Sequence, residues 1–342
     1  MRSILRLFVL LLTGVLVSAT AAPAMASTDT KPVKIIFDTD IGNDCDDVMA
    51  LAVIHALQNR GACELLAVTL TNPDPFAGRF VDALNTFYGR PNIPIGVNPA
   101  SPVVEKISRY LKAAANYPHD FDPSGAVPAV TLLRKTLAAS ADGEVVIVQV
   151  GFFTNLAALL DSPADAISLL TGRELVQRKV RELSLMAGQF SPMRGNNYYL
   201  EYNVQHDIAA AQKVAAEWPT PIVWSGAEIG DAIRFPARVI DRDFGYASRH
   251  PVQETYQLYR PTPHERPCFD LTSVLQAVWP ERNYFELSVP GRVEVLQDSF
   301  TKFTPAKDRE PGRDRYLLVN REQALRVREL FAAFVAEPPM AK

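Results

Sequence analysis

The order of apolar and polar residues divides this chain into short β-rich runs and longer stretches of helical spacing. Residues 33–37 (Val-Lys-Ile-Ile-Phe) form an apolar run rich in β-branched side chains, and residues 48–58 follow with apolar positions at helical spacing. The same strand-then-helix order returns at 65–70 with 78–88 and at 145–150 with 154–160. Such alternation predicts an α/β fold, a doubly wound and mainly parallel sheet with helices on both faces. Residues 93–97, 183–187 and 222–225 are further expected strands, and 208–216 and 271–278 further expected helices.

Toward the C-terminus the pattern changes. Residues 285–289 and 292–296 flank Pro290-Gly291 as the arms of a hairpin would, which predicts a small antiparallel appendage within 284–319. Residues 322–335 repeat apolar positions at helical spacing and are expected to pack back on the body. Neither a Gly/Ser or Pro linker nor an internal repeat divides the chain, so residues 27–342 read as a single domain. The first 26 residues follow other rules: Arg2 and Arg6 precede an apolar stretch at 7–17, and small residues then lead to Ala24-Met25-Ala26. That is the pattern of a signal peptide cleaved after Ala26. Its apolar core is shorter than the roughly 20 residues of a spanning helix. The mature protein is therefore expected to be exported, periplasmic or secreted, without stable membrane insertion after cleavage.

Composition narrows the function classes. With 48% hydrophobic and 21% charged residues among 342, the bulk is expected to be a folded, soluble body. A formal net charge of -3, with no Lys/Arg run interleaved with aromatics, argues against a nucleic-acid partner. Cys45, Cys63 and Cys268 are too few for a disulfide framework and lack the paired spacing of a structural zinc site, so they read as buried thiols.

The leading chemical signal is Asp38-Thr-Asp-Ile-Gly-Asn-Asp-Cys-Asp-Asp47, directly after the first strand. In a doubly wound sheet, ligands bind in the crevice outside the carboxyl ends of the strands. Asp38, Asp40, Asp44, Asp46 and Asp47 would repel one another there unless a cation or solvent intervened. Ligands that are all oxygen suit a hard ion, calcium or magnesium, and flexible coordination by many carboxylates favours calcium. A solvated acidic turn is the plain alternative. An EF-hand does not fit, because Gly42 is misplaced and the twelfth position from Asp38 is Met49 instead of glutamate. For three residues, Asp38-Thr-Asp40 also resembles the nucleophile loop of haloacid-dehalogenase-type phosphatases.

Taken further, Asp38-x-Asp40-x-Gly42 followed by Asp46-Asp47 and an apolar helix resembles the signature of the nucleoside hydrolase family. Gly151-Phe-Phe-Thr-Asn-Leu156 is similar to that family's Gly-x-x-Thr-Asn-Leu segment after a central strand. Met186-Ala-Gly188, Asn196-Asn197 and Glu201-Tyr-Asn203 resemble its sugar-binding stretch, and Arg266-Pro-Cys-Phe-Asp270 its late aspartate at a helix start. These segments follow one another in the family's order.

The resemblance implies calcium-dependent hydrolysis of the N-glycosidic bond of ribonucleosides or related N-ribosides, giving free base and ribose. It implies Asp40, Asp47 and Asp270 as carboxylate ligands of Ca2+, beside the backbone carbonyl of Val150. Asp40 would also be the general base, and nearby carboxylates would stabilise the oxocarbenium-like sugar. Asp46 and Asn203 correspond to residues on the 2' and 3' hydroxyls, with Asn72 in a related position, and Asn197 and Glu201 to residues on the 5' hydroxyl. Met186 lies in the same substrate-binding stretch, and Asn155 reads as a helix cap beside Thr154. Two departures stand out. Phe269 occupies the place of a histidine that protonates the leaving base in some members, leaving ring stacking or an acid such as Tyr259, His264 or Glu265 to serve. Asp44-Cys45 is extra spacing relative to the shortest family form. A secreted riboside-binding protein without turnover is the second class, and the phosphatase a third. Homodimer and homotetramer are the assemblies to expect.

Overall fold

The computed structural model describes residues 31–99, 101, 108–307 and 311–340; the expected signal peptide at 1–26 lies outside them. The first β-branched run forms strand β1 (Val33–Thr39), which pairs in parallel with β2 (Cys63–Leu70) on one side and β5 (Val145–Gln149) on the other. Past β2 the parallel sheet continues through β3 (Ile95–Val97) and β4 (Val127–Pro128), and past β5 through β6 (Val180–Met186) and β7 (Ile222–Ser225). The chain fills one side of β1 and then crosses to the other, which sets a topological switch point between β1 and β5.

The antiparallel part is present, but its pairing differs from the expected hairpin. Short β8 (Glu286–Leu287) pairs with β11 (Asp314–Leu318), while β9 (Gly291–Val295) pairs with β10 (Thr301–Pro305) and touches β11. The turn lies between β9 and β10, where Ser299 takes φ 75° and Leu296 N–H donates to Phe300 O at 2.8 Å. Gly291 is a packing glycine: a Cβ there would come within 2.4 Å of Thr304 O. β11 itself lies parallel to β7 and joins the appendage to the main sheet.

Alternation along the strands covers both faces. Ile35, Phe37, Val146 and Val148 point into one core, with α1 (Asp46–Asn59), α2 (Ala77–Phe87) and later helices, whereas Ile36, Val145 and Ile147 point into the other. That second core takes α3 (Ala129–Ala139), α4 (Thr154–Asp161), α5 (Gly172–Lys179) and α7 (Ile208–Glu217), with α6 (Tyr202–His206) adding Val204. The first also takes α8 (Ala227–Ala232), α9 (Ala237–Arg242), α10 (Pro251–Tyr259), α11 (Phe269–Val278) and α12 (Arg321–Val335). α1 is buried on all sides from Asp46 to Leu57, as a helix apolar all round must be. No described helix is long and apolar enough to cross a membrane.

Candidate active site

Strand register brings four expected residues to one rim. Asp38 stands opposite Thr69 on β2 and Gln149 on β5, and Gln149 opposite Leu185 on β6, so Asp40, Asn72, Val150 and Met186 leave the sheet together at its carboxyl edge. Asp38 braces this rim from below. Wholly buried, it accepts hydrogen bonds from Thr69 Oγ1 at 2.5 Å and Asn155 Nδ2 at 2.7 Å. Burial pushes its carboxyl up to about 7 against those two bonds. Both of those bonds tie Asp38 back into the sheet below the rim, which speaks against its use as the nucleophile of the phosphatase alternative. Asn155 is accordingly no helix cap: it also donates to Leu70 O at 3.2 Å and accepts from Asn98 Nδ2 at 3.0 Å, while α4 starts without a side-chain cap.

Two glycines let the loop fold over the rim. Gly42 has φ 137°, a conformation side chains disfavour, and a Cβ on Gly151 would come 2.4 Å from Asp40 N. Asn72 braces the loop by donating to the carbonyls of Asp40 and Ile41 at 3.3 and 3.2 Å, and it shapes its own turn by accepting from Asp74 N–H at 3.0 Å. Tyr110, unforeseen in the sequence, closes the loop: its hydroxyl accepts from Gly42 N–H at 2.7 Å and donates to Asp44 O at 2.5 Å. The Thr39 hydroxyl donates to Asp47 Oδ1.

Asp270 arrives on the first turn of α11, which is tied down by Ser184 Oγ donating to Ser273 O at 2.9 Å and by a 2.7 Å bond between Ser225 Oγ and Thr272 Oγ1. Asp46 Oδ2 accepts from the backbone N–H groups of Phe269 and Asp270 at 3.0 and 3.3 Å, so a side chain from the start of α1 satisfies two donors at the start of α11. Burial raises the Asp270 carboxyl well above the usual range, and Asp46, Asp47, Asp44 and Asp40 push it the same way. The aspartates of the loop and of α11 thus act on one another at close range.

Acid oxygens of Asp44, Asp46 and Asp270 lie within 4.8 Å of one another. Two of these acids already share a cation. Arg266 donates from Nε at 2.9 Å and Nη2 at 2.7 Å to Asp46 Oδ1, and from Nη2 to Asp44 Oδ2. Burial pushes Asp46 upward, but Arg266, the Asp44 side chain and the Asp270 N–H together outweigh it and hold that carboxyl below its ordinary value; Asp44 stays well above, burial exceeding the same arginine's pull. Arg266 was not singled out as a site residue in the sequence, though it stands in the matching segment. Asp270 thus stands beside Asp44 and Asp46, both of them bound by Arg266, while Asp40 and Asp47 act on it as like charges; an all-oxygen group of acids of this kind suits a hard divalent ion.

The sugar-side candidates divide. Asn203 Nδ2 donates to Val150 O at 2.8 Å and Met186 O at 3.0 Å, which places it at the carboxyl edge of β5 and β6. A carbonyl has two lone pairs, so the Val150 oxygen can serve a cation as well. Glu201 is buried and receives the N–H groups of Asn203, Val204 and Gly188 at 2.9, 3.1 and 3.2 Å; burial nevertheless lifts its carboxyl to about 7. Asn197 is exposed and borders a different cavity, formed with Phe190, Phe300 and Tyr316 beside the antiparallel strands. Phe269 is half-buried, its ring 5.2 Å from the Arg266 guanidinium, which lies 5.4 Å from the Tyr259 ring. Tyr259, His264, Glu265 and Phe269 line one cavity of about 410 Å³, so every substitute named for the missing histidine faces the same space.

The family model described as inosine-uridine preferring nucleoside hydrolase matches residues 35–312. A plant nucleoside hydrolase superposes with a TM-score of 0.68 at 22% identity, covering 90% of this chain and 100% of its own. The purine-preferring ribonucleoside hydrolase from Gardnerella vaginalis does so with a TM-score of 0.68 at 17% identity, covering 89% and 98%. An uncharacterized protein of Schizosaccharomyces pombe is 27% identical over 220 residues, 61% of this chain and 66% of that protein. The chain thus spans just under two thirds of that curated relative.

Proposed function

The chain belongs to the inosine-uridine preferring nucleoside hydrolase family, glycosylase-type hydrolases of small-molecule nucleosides that typically use a metal ion, and we propose that it is a calcium-dependent hydrolase of ribonucleosides or related N-ribosides. The observation that carries this reading is the convergence of the loop after β1 with Asp270 of α11 at the switch point of the sheet. Asp40, Asp47, Asp270 and the Val150 carbonyl would hold the ion, which when bound makes water more acidic and neutralises the crowded carboxylates. Asp40 takes the proton from the attacking water. The bond from C1' to the base nitrogen breaks and its electron pair leaves with the base, which takes a proton from solvent; the water oxygen bonds to C1', and the surrounding aspartates stabilise the positive charge that grows on the sugar in between. Asp46 and Asn203 would orient the 2' and 3' hydroxyls with Asn72 behind them, and Glu201 would serve the 5' side with Met186 beneath the ring; Asn197, exposed beside a different cavity, does not join them. The half-buried Phe269 faces the departing base.

A screen of purine, pyrimidine and other ribosides for reducing-sugar release, with and without chelator, tests this. Release that stops on chelation and returns with calcium is the expected result; no release from any riboside at millimolar calcium leaves a binding protein instead. The N-terminal pattern supports export as a mature chain starting near Ser27, and N-terminal sequencing of the exported protein tests that, with an intact Met1 as the contrary result.

A further inference from the structure

The cavity beside Phe269 is lined by more arginines than acids. Arg194, Arg234, Arg260 and Arg266 all line it, against the single acid Glu265, which is itself paired with Arg328 at 2.8 Å. Arg194 and Arg234 share one aspartate, Asp231. Arg266 is bound to Asp44 and Asp46. For Arg260, an exposed side chain, no acidic partner exists among the described residues. His264, on the same wall, donates from Nδ1 to Pro261 O at 3.2 Å and so offers the cavity no further N–H. Neutral bases require none of this. A planar guanidinium with unspent donors beside two aromatic rings, as Arg260 has here, is a usual partner of a carboxylate or phosphate.

Resting on the function proposed above, we infer that this cavity selects ribosides that carry an oxyanion, a carboxylate or a phosphate, with Arg260 as its principal contact and Arg194 and Arg234 as further donors. The aromatic walls of Tyr259 and Phe269 favour an oxyanion borne by the leaving base, close to the ring system they flank. Arg266 connects the cavity to the acid loop, so a ligand filling one lies against the other.

Two matched pairs of ligands separate the sources of the anion: the riboside of pyridine-3-carboxylate against that of the 3-carboxamide, and inosine 5'-monophosphate against inosine. Affinity is read from the ligand-dependent rise in melting temperature of the calcium-loaded full chain, which registers occupancy with or without turnover; reducing-sugar release is measured in the same solutions. At least one anionic member should bind about tenfold more tightly than its neutral-substituent partner, the loss of one charge-assisted hydrogen bond being of that order. Arg260→Gln, at an exposed position, should remove that advantage, and Arg194→Gln should reduce it, while both leave the partner ligand's affinity unchanged. Which pair responds identifies carboxylate or phosphate. Equal affinities within both pairs, or an Arg260→Gln variant that weakens all ligands alike, overturn the inference. Failure of every ligand to release sugar refutes the hydrolase reading instead, and the melting shifts still decide whether the cavity holds an anion.

Discussion

Asp40 sits where the backbone turns out of β1, its carbonyl held by Asn72 and its amide pressed against Gly151. Replacing the carboxylate by an amide keeps the shape and removes the proposed base. Asp40→Asn is expected to lower kcat for sugar release by about 10²–10⁴ with circular dichroism and urea midpoint close to the parent's; a variant with undiminished turnover excludes Asp40 as base. Arg266 answers a different question. It lies between Asp44 and Asp46 with its side chain 11% exposed, and Arg266→Met leaves two acids uncompensated. The expected cost is about 3–5 kcal/mol in urea unfolding, partly recovered by calcium; a cost below about 1 kcal/mol, the value of a surface pair, would show that the arginine does not hold the loop. The aspartates were legible in the sequence because ten contiguous residues display them. Arg266 and Tyr110 were not, since their partners are 222 and 66 positions away and only the fold brings them together.

Elements were read well where burial repeats at a fixed period and poorly where a residue has two uses. α1, β1, β5 and α12 appear within a few residues of the expected runs, because one or both faces of each meet the core. Pro290-Gly291 suggested a turn, but that glycine serves close strand packing, and the real turn at Ser299 carries no Gly or Asn to announce it. Asn155 likewise suggested a cap while its amide was needed by buried Asp38. α12 offers an element-level test remote from the chemistry. Asn320 accepts from Gln323 N–H at 2.9 Å, and Gln323 Oε1 accepts from Asn320 N–H at 3.0 Å, a reciprocal cap. Asn320→Ala should cost about 1 kcal/mol, read as a lowered urea midpoint, with KM and kcat for ribosides unaltered. Altered kinetics would mean that α12 reaches the site.

For the whole molecule, the alternation of strands and helices was enough to give a doubly wound sheet, and that topology gives the crevice its place. Long-range pairing of side chains, and with it the cationic cavity, lay beyond any local pattern. Acid stability also belongs to this scale. His55 and His250 are buried, and burial lowers both to about 3. The unfolded chain protonates such histidines near 6.5, so between about 6.5 and 3 it binds more protons than the native chain, and stability falls as the pH drops through that window. His55→Gln should therefore lose roughly 2–3 kcal/mol less than the parent between pH 6.5 and pH 4.5, measured by urea midpoints at each pH; identical losses would mean that His55 titrates in the native state.

A crystal structure of the calcium-loaded protein bears most directly on how this chain works. One ion, bound by Asp40, Asp47, Asp270 and the Val150 carbonyl at about 2.3–2.6 Å, is the expected result. An ion seated between Asp44 and Asp46 with Asp40 turned away, or none in the crevice while sugar release continues in chelator, would contradict it.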